Sequence, residues 1–487
     1  DVRVRIVGSE RDVRFAERFE YSPFGNVVRQ TAVDLSGSEA PVVSEMRYSA
    51  DGLYPESSPN AAGQVSRVAY DRRFGGAIYA QDVDGVSSSS AYDAWGREVF
   101  VSTPTRQGRV EYAEATLDGH PEVRRVVSTY IDAEASPRAR SYLDARGRVV
   151  VAETRMSNGD YSAQTQRYDR DGRVVSVSTP AFEDTPTASI QTFATEYDSL
   201  GRAVSRETGQ GTLNYRYVGP ETFVSGIRSA SFMTGSRGDV IAATHGASPG
   251  TTLVYFQSTN GELLHVSGRT AGGERELLVS EQDSFGRTVA VTVSDTGRRA
   301  YRYNAWGEVL SESDAAGRQV FSRTDVLGRP LARAGANTPA AGYSYDVSSG
   351  RAGIGGLAES HTSDGARMQV AYDALGRVSE ETHLRDGPDG AGLDAALYAN
   401  KVAYRFDAHG RLKRELMVEV PSLGRPALCF VYDDVDTLFA VWLEIDGPND
   451  GSSGCRSAAA GGTLLMQIVQ RDAEGRAIQS QLGSVRV

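Results

Sequence analysis

Tyr168-Asp169-Arg170-Asp171-Gly172-Arg173-Val174-Val175-Ser176-Val177-Ser178 reads as the end of one strand, a tight reversal and an alternating second strand. The Asp169 side chain can hydrogen-bond backbone two residues on, and Gly172 supplies the positive φ that a three-residue hairpin loop with a bulge needs after a type I turn. The unit returns as Tyr92-Asp93-Ala94-Trp95-Gly96-Arg97, as Tyr197-Asp198-Ser199-Leu200-Gly201-Arg202 and as Tyr372-Asp373-Ala374-Leu375-Gly376-Arg377. Variants run from Asp144 to Arg148, Asp283 to Arg287, Tyr303 to Gly307, Asp314 to Arg318, Asp325 to Arg329, Phe406 to Arg411 and Asp472 to Arg476, with weaker copies at Tyr21–Gly25, Tyr48–Gly52 and Tyr70–Gly75. Asp283, Asn304, Asp325 and Asp346 stand 21 positions apart three times running, which chance does not produce.

A repeat of this kind decides the architecture before any single motif does. Each copy is a chain reversal, and both flanks alternate with the period of a strand that has one packed and one wet face, as in Thr288-Val289-Ala290-Val291-Thr292-Val293. The expected fold is therefore all-β, a strip of hairpins. Its turns are formed by Asp93, Asp169, Asp198, Asp283, Asp325 and Asp373, with Gly96, Gly172, Gly201, Gly286, Gly328 and Gly376 at positive φ. Tyrosines before the turns and aliphatic residues after Gly-Arg would stack in cross-strand rows. The one candidate helix is Gly390–Asn400, with Leu393, Ala396 and Leu397. Stretches near 207–281 and 421–470 lack a clear unit and hold either degenerate copies or insertions. No linker divides the chain, so residues 1–487 are expected to form one continuous architecture.

Composition narrows the function classes. With 63 acidic against 52 basic residues in 487, the net charge is −11, which disfavours a nucleic-acid-binding face. Hydrophobic residues make up 40%, while Gly reaches 52 and Tyr 23, a profile of turns and amphipathic strands rather than thick apolar layers. No run approaches the ~18 apolar residues of a membrane helix. Only Lys401 and Lys413 are lysines, so the positive charge is almost all guanidinium, which reads as a compositional bias. Asp1 is not a natural start, and no basic region precedes an apolar stretch, so a targeting segment is expected to be removed or absent. Cys429 and Cys455 either bridge a local loop in an oxidising compartment or remain free thiols.

On these units the chain resembles the YD-repeat, or rearrangement-hotspot (Rhs), family, named for Tyr-Asp pairs such as Tyr168-Asp169, and the resemblance covers most of its length. It implies a hairpin strip spiralling into a large hollow shell that encloses a toxic C-terminal polypeptide. The family includes the B and C components of bacterial ABC (Tc-type) insecticidal toxin complexes, polymorphic toxins and the teneurin adhesion receptors. The uneven early copies, with Phe19-Glu20-Tyr21-Ser22-Pro23-Phe24-Gly25, are similar to the repeat region of a B component. The family's Arg-Tyr-Tyr-Asp-Pro-like core signature before an aspartate-dependent self-cleavage site is not found by Val487. The chain is accordingly expected to be shell wall, without the self-cleaving plug or the toxin. The resemblance implies export from a bacterium, and as partners an enclosed toxic polypeptide and other toxin-complex components.

Short matches to catalytic motifs do not survive their context. Gly246-Ala247-Ser248-Pro249-Gly250 fits a nucleophile elbow, but Pro249 and the lack of a following helix make it a loop. Gly353-Ile354-Gly355-Gly356-Leu357-Ala358 fits a relaxed dinucleotide fingerprint with no helix behind it, so a glycine-rich turn is expected. His120, His245, His265, His361, His383 and His409 have no ligand spacing, and neither cysteine has a Cys-x-x-Cys partner. Arg237-Gly238-Asp239 reads as a polar turn, and Trp95, Trp306, Tyr92, Tyr168, Tyr197 and Tyr372 as packing residues. No catalytic, cofactor or metal site is expected. Three functions then compete: an encapsulating shell, which the reading favours; a receptor- or glycan-binding adhesion module on the same scaffold; and an enzyme with a long-range site. The absence of any Asn-x-Ser/Thr acceptor argues against a heavily glycosylated animal ectodomain.

Overall fold

The structure, a computed structural model, describes residues 2–7, 15–246, 251–270, 272–346, 353–385, 400–419, 424–446, 462–483 and 485–486. The candidate helix lies outside the described residues except for Asn400, which opens the strand Asn400–Phe406. Of the elbow-like motif only Gly246 is described.

Among the described residues there are forty-one strands and a single short 3-10 turn, Thr187–Ser189, so the all-β expectation holds. Every strand ladder is antiparallel and joins neighbours in sequence. The first four strands, from Val2–Val7 to Val42–Glu45, form a small sheet, and the rest follow in chain order as one long sheet. The repeat accounts for the ladders: at Tyr168↔Val174, Tyr197↔Ala203 and Tyr372↔Val378 the register shifts by a bulge beside the turn. That shift is what a type I turn followed by a left-handed glycine produces.

The stretch near 207–281 carries seven strands from Gly211–Val218 to Gly273–Gln282, joined by turns that lack the Asp-x-x-Gly-Arg form. Near 421–470 lie Arg425–Tyr432, Leu438–Asp446 and Thr463–Arg471. The relaxed dinucleotide match is a turn, with Gly353 and Gly355 at φ 84° and 86°, leading into the strand Leu357–Thr362. Arg237-Gly238-Asp239 closes the turn in which the Gly238 N–H donates to the Gly235 carbonyl.

The sheet is thin. The chain exposes 28,772 Å² for a mass of 52.3 kDa. A compact monomer of that mass exposes about 17,500 Å². The excess follows from a wall one sheet thick, wet on both faces. A small cluster of Val123, Val150 and Val151, packed by Leu117, Tyr142 and Ala163, is a local thickening of that wall.

The strip also winds back on itself, through contacts between residues 270 to 330 positions apart. Hairpin turns of the Tyr-Asp type lie along one edge; turns such as Asp82–Gly85, Thr103–Arg106 and Met156–Gly159 lie along the other. At the seam the Tyr-Asp edge of the later winding meets the opposite edge of the earlier one. The Ile354 N–H donates to Asp84 Oδ1 at 2.6 Å, the Ser162 hydroxyl to the Ala473 carbonyl at 2.5 Å, and Trp306 packs edge-on against Phe15 with centroids 5.9 Å apart.

Candidate functional site

The repeat turn is the chemically distinctive element of the chain. In the copy at Asp169, Oδ1 accepts the N–H groups of Asp171 and Arg173, both at 2.9 Å, and Oδ2 accepts Arg173 Nε at 2.6 Å. At Asp93, Asp198, Asp283, Asp325 and Asp373 the two backbone bonds measure 2.8–3.1 Å. The arginine four residues on is held in each at 2.7–2.8 Å through Nε. Asp144, Asp314, Asp407 and Asp472 make the same clasp. Gly96, Gly172, Gly201, Gly286, Gly328 and Gly376 sit at φ between 73° and 89°.

Charge and hydrogen bonding support one another in this clasp. Burial alone would raise the Asp373 carboxyl, but the Arg377 guanidinium and the N–H groups of Arg377 and Leu375 outweigh it and hold it below the usual carboxylate range. At Asp198 the Arg202 N–H is the leading cause of the same downward displacement.

The guanidinium then reaches onward. Arg173 lies over the ring of Tyr197, Arg202 over Tyr217, Arg287 over Tyr303, Arg329 over Tyr345 and Arg411 over Tyr432, at 4.2–4.9 Å. The next tyrosine answers: Tyr197 donates to the Val174 carbonyl at 2.9 Å, Tyr217 to Ala203 at 2.7 Å, Tyr303 to Thr288 at 2.6 Å and Tyr432 to Leu412 at 2.8 Å. Each acceptor is the residue after the clasped arginine. Burial raises the phenols of Tyr217, Tyr303 and Tyr432, which keeps them protonated as donors. At Arg173, Arg202, Arg287 and Arg411 the repeat is thereby fastened to the next by a cation–π contact and a hydrogen bond.

The register sets the tyrosine opposite the residue after Gly-Arg, as Tyr168 opposite Val174 and Tyr372 opposite Val378, and the guanidinium of the preceding repeat adds a contact that the sequence did not suggest. One expectation is corrected. The arginines after the turn glycines are thus structural parts and not mere composition, since a lysine would lack the planar fork that holds Asp and covers Tyr together. The glycine also does more than supply φ: an added Cβ at Gly201 would meet Arg173 Nη1 at 3.4 Å, and at Gly96 it would meet the Phe74 ring at 2.8 Å.

Trp95 departs from its expected packing role and is 82% exposed, because the third turn position projects beyond the strip edge and no winding covers it there. Sequence reasoning passed over Tyr432-Asp433, a further copy of the unit with Asp436 at the glycine position, and Asp132; both aspartates have positive φ, 64° and 54°. The signal was available in the dipeptide, but the missing glycine hid it.

Cys429 is buried and disulfide-bonded; the other cysteine of the sequence, Cys455, lies outside the described residues. Among the described residues no three His, Cys, Asp or Glu side chains gather as a metal site. No described helix is long and apolar enough to cross a membrane. A groove of about 600 Å³ along Tyr215, Ser225, Ser231, Thr244 and Thr252 has neither carboxylate nor histidine in its lining.

No family model matches the sequence, and no curated protein matches it. Solved structures do. The crystal structure of TcdB2-TccC3 superposes over 99% of this chain and 28% of its own, with TM-score 0.73 and 13% identity. A TcdB2-TccC3-Cdc42 structure and the Tc holotoxin pore of Photorhabdus luminescens each match at TM-score 0.72 and 12% identity, over 99% of this chain and 30% of theirs. The chain spans under a third of the length of these structures. At such identity the likeness is one of fold, and the chain shares the all-β hairpin-strip architecture of the matched part of TcdB2-TccC3, in keeping with the YD-repeat resemblance of its sequence.

Proposed function

We propose that this chain is a section of the wall of a hollow β-shell that encloses a toxic polypeptide of an exported bacterial toxin until delivery. The observation that carries the reading is the superposition of 99% of the chain on TcdB2-TccC3. The thin, two-sided sheet supports it, since a container needs wall rather than filled core. In this reading the role is structural, with no catalytic step of its own. The ladder of Asp, Arg and Tyr, built on Asp93, Asp169, Asp198, Asp283, Asp325 and Asp373 with their glycines, keeps the wall rigid. Its partners are the enclosed polypeptide and other toxin-complex components.

Electron microscopy of the intact precursor, with protease challenge, tests this. A particle with a lumen holding protease-resistant polypeptide is expected. A filled particle, or a strip that protects nothing, would overturn the reading, and saturable binding to cells or glycans by that particle would then favour the adhesion module.

A further inference from the structure

The repeat copy Tyr432-Asp433-Asp434-Val435-Asp436-Thr437 departs from the others: Asp436 occupies the glycine position and Thr437 the arginine position. The turn is nevertheless intact. Asp433 Oδ1 accepts the N–H groups of Val435 and Thr437 at 3.1 and 2.8 Å, and the Asp436 N–H donates to the Asp433 carbonyl at 3.1 Å. A side chain at φ 64° is disfavoured, and such exceptions persist where surroundings hold them and concentrate at working sites.

The Asp436 carboxylate stands at the seam between windings. Arg106 Nη2 approaches it at 2.7 Å and Arg138 Nη1 at 3.3 Å from the earlier winding, and Arg411 Nη1 at 2.5 Å from its own. Arg106 uses its other terminal nitrogen on Asp132 Oδ2 at 2.8 Å, another aspartate in the left-handed region. His409 Nε2, from the later winding, lies 3.6 Å from the same Asp132 oxygen. Beside them Arg138, also paired with Glu134, donates to the Asp434 carbonyl at 3.2 Å, and Arg155 meets Asp434 Oδ2 at 3.1 Å. Burial would raise the Asp436 carboxyl, but Arg106, Arg138 and Arg411 outweigh it and keep it low. Arg411 is at once the clasped arginine of Asp407 and the cover of Tyr432, so the cluster is tied into the repeat ladder.

We propose that Asp436, with Arg106 and Asp132, forms an ionic latch that fixes one winding of the strip against the next. The repeat gave up its glycine at this turn, and the carboxylate gained there is the group that three arginines share. Because the contacts of the latch join opposite charges, salt weakens them, while the backbone ladders within each winding are unaffected. The latch stands whether or not a cargo is enclosed.

Spin labels at Asn158→Cys and Glu474→Cys, on turns that face each other where Met156 Cε lies 3.6 Å from the position of a Gly475 Cβ, read the seam. In the otherwise unchanged chain the distance distribution is expected to be narrow at low salt and about double its width near ~1 M NaCl, where screening reaches ~3 Å. Asp436→Gly restores the residue of the other repeats and relieves the backbone, so the turn survives. It is expected to give the broad distribution already at low salt, with unchanged circular dichroism. Asp436→Asn, which tolerates the same φ without the charge, is expected to behave alike. A narrow distribution in both variants would overturn the latch, as would loss of the strand signal together with the seam.

Discussion

The Arg173 guanidinium is hydrogen-bonded to Asp169 in its own turn and lies 4.9 Å from the ring centroid of Tyr197 in the next. One side chain therefore closes a turn and fastens it to its successor, which requires a planar cation. Arg173→Lys and Arg287→Lys are each expected to lower stability measurably, although charge is conserved. Urea unfolding would check it, and wild-type stability in both variants would remove the ladder from the account.

Two turn glycines separate backbone strain from packing. Gly63 and Gly96 have φ of 78° and 76°, but only at Gly96 does an added Cβ meet a ring, that of Phe74. Gly63→Ala should cost about 1–2 kcal/mol for the left-handed backbone alone. Gly96→Ala should cost measurably more. Equal losses in denaturant titrations would mean that Phe74 yields freely and packing adds nothing.

Equivalent tryptophans should behave differently. Trp306 packs on Phe15 across the seam, whereas Trp95 is exposed. Trp95→Ser is expected within ~0.5 kcal/mol of wild type. Trp306→Ala is expected to lose about 1–2 kcal/mol, the aromatic pair and its burial together. Thermal melts of both variants decide this, and similar behaviour would refute the seam contact.

Arg414 and Glu444 form an ion pair at 3.2 Å with side chains only 2% exposed. Glu444→Gln removes one charge of this buried pair, and a measurable loss of stability is expected. Chemical denaturation at neutral pH measures it; wild-type stability would show that this pair does not hold the arginine in place.

The turn aspartates set an acid limit. Asp198 is held below its ordinary 3.8 chiefly by the Arg202 N–H, and Asp314 below the same value chiefly by the Arg318 side chain. A carboxyl whose folded pKa is depressed adds stability that is present above the unfolded pKa and disappears as pH falls through the folded one. Stability owed to these groups should stay level from pH 7 to about 5 and fall below about 4. Thermal melts from pH 7 to 3 would reveal it, and a loss centred near pH 6 would point to other groups.

The hairpins were legible in the sequence because their physics is local: Asp169 reaches N–H groups two and four residues on, Gly172 sets its own φ, and Val174–Ser178 alternates within one strand. The repeat therefore determined the strands, the turns and the all-β class. What it left open needed chain brought from elsewhere. The arginine-to-tyrosine contacts join neighbours at varied spacing, as Arg173 to Tyr197 and Arg202 to Tyr217, so no fixed period announces them. The exposure of Trp95 and the packing of Trp306 depend on whether another winding covers the same turn position. Asp436 looks like a defective repeat in sequence; Arg106 and Arg138, some three hundred residues earlier, explain it. Turn chemistry acts over a few ångströms of contiguous chain, whereas the seam is set by the curvature accumulated over a whole winding, and only the tertiary structure decides which distant residues that curvature brings together.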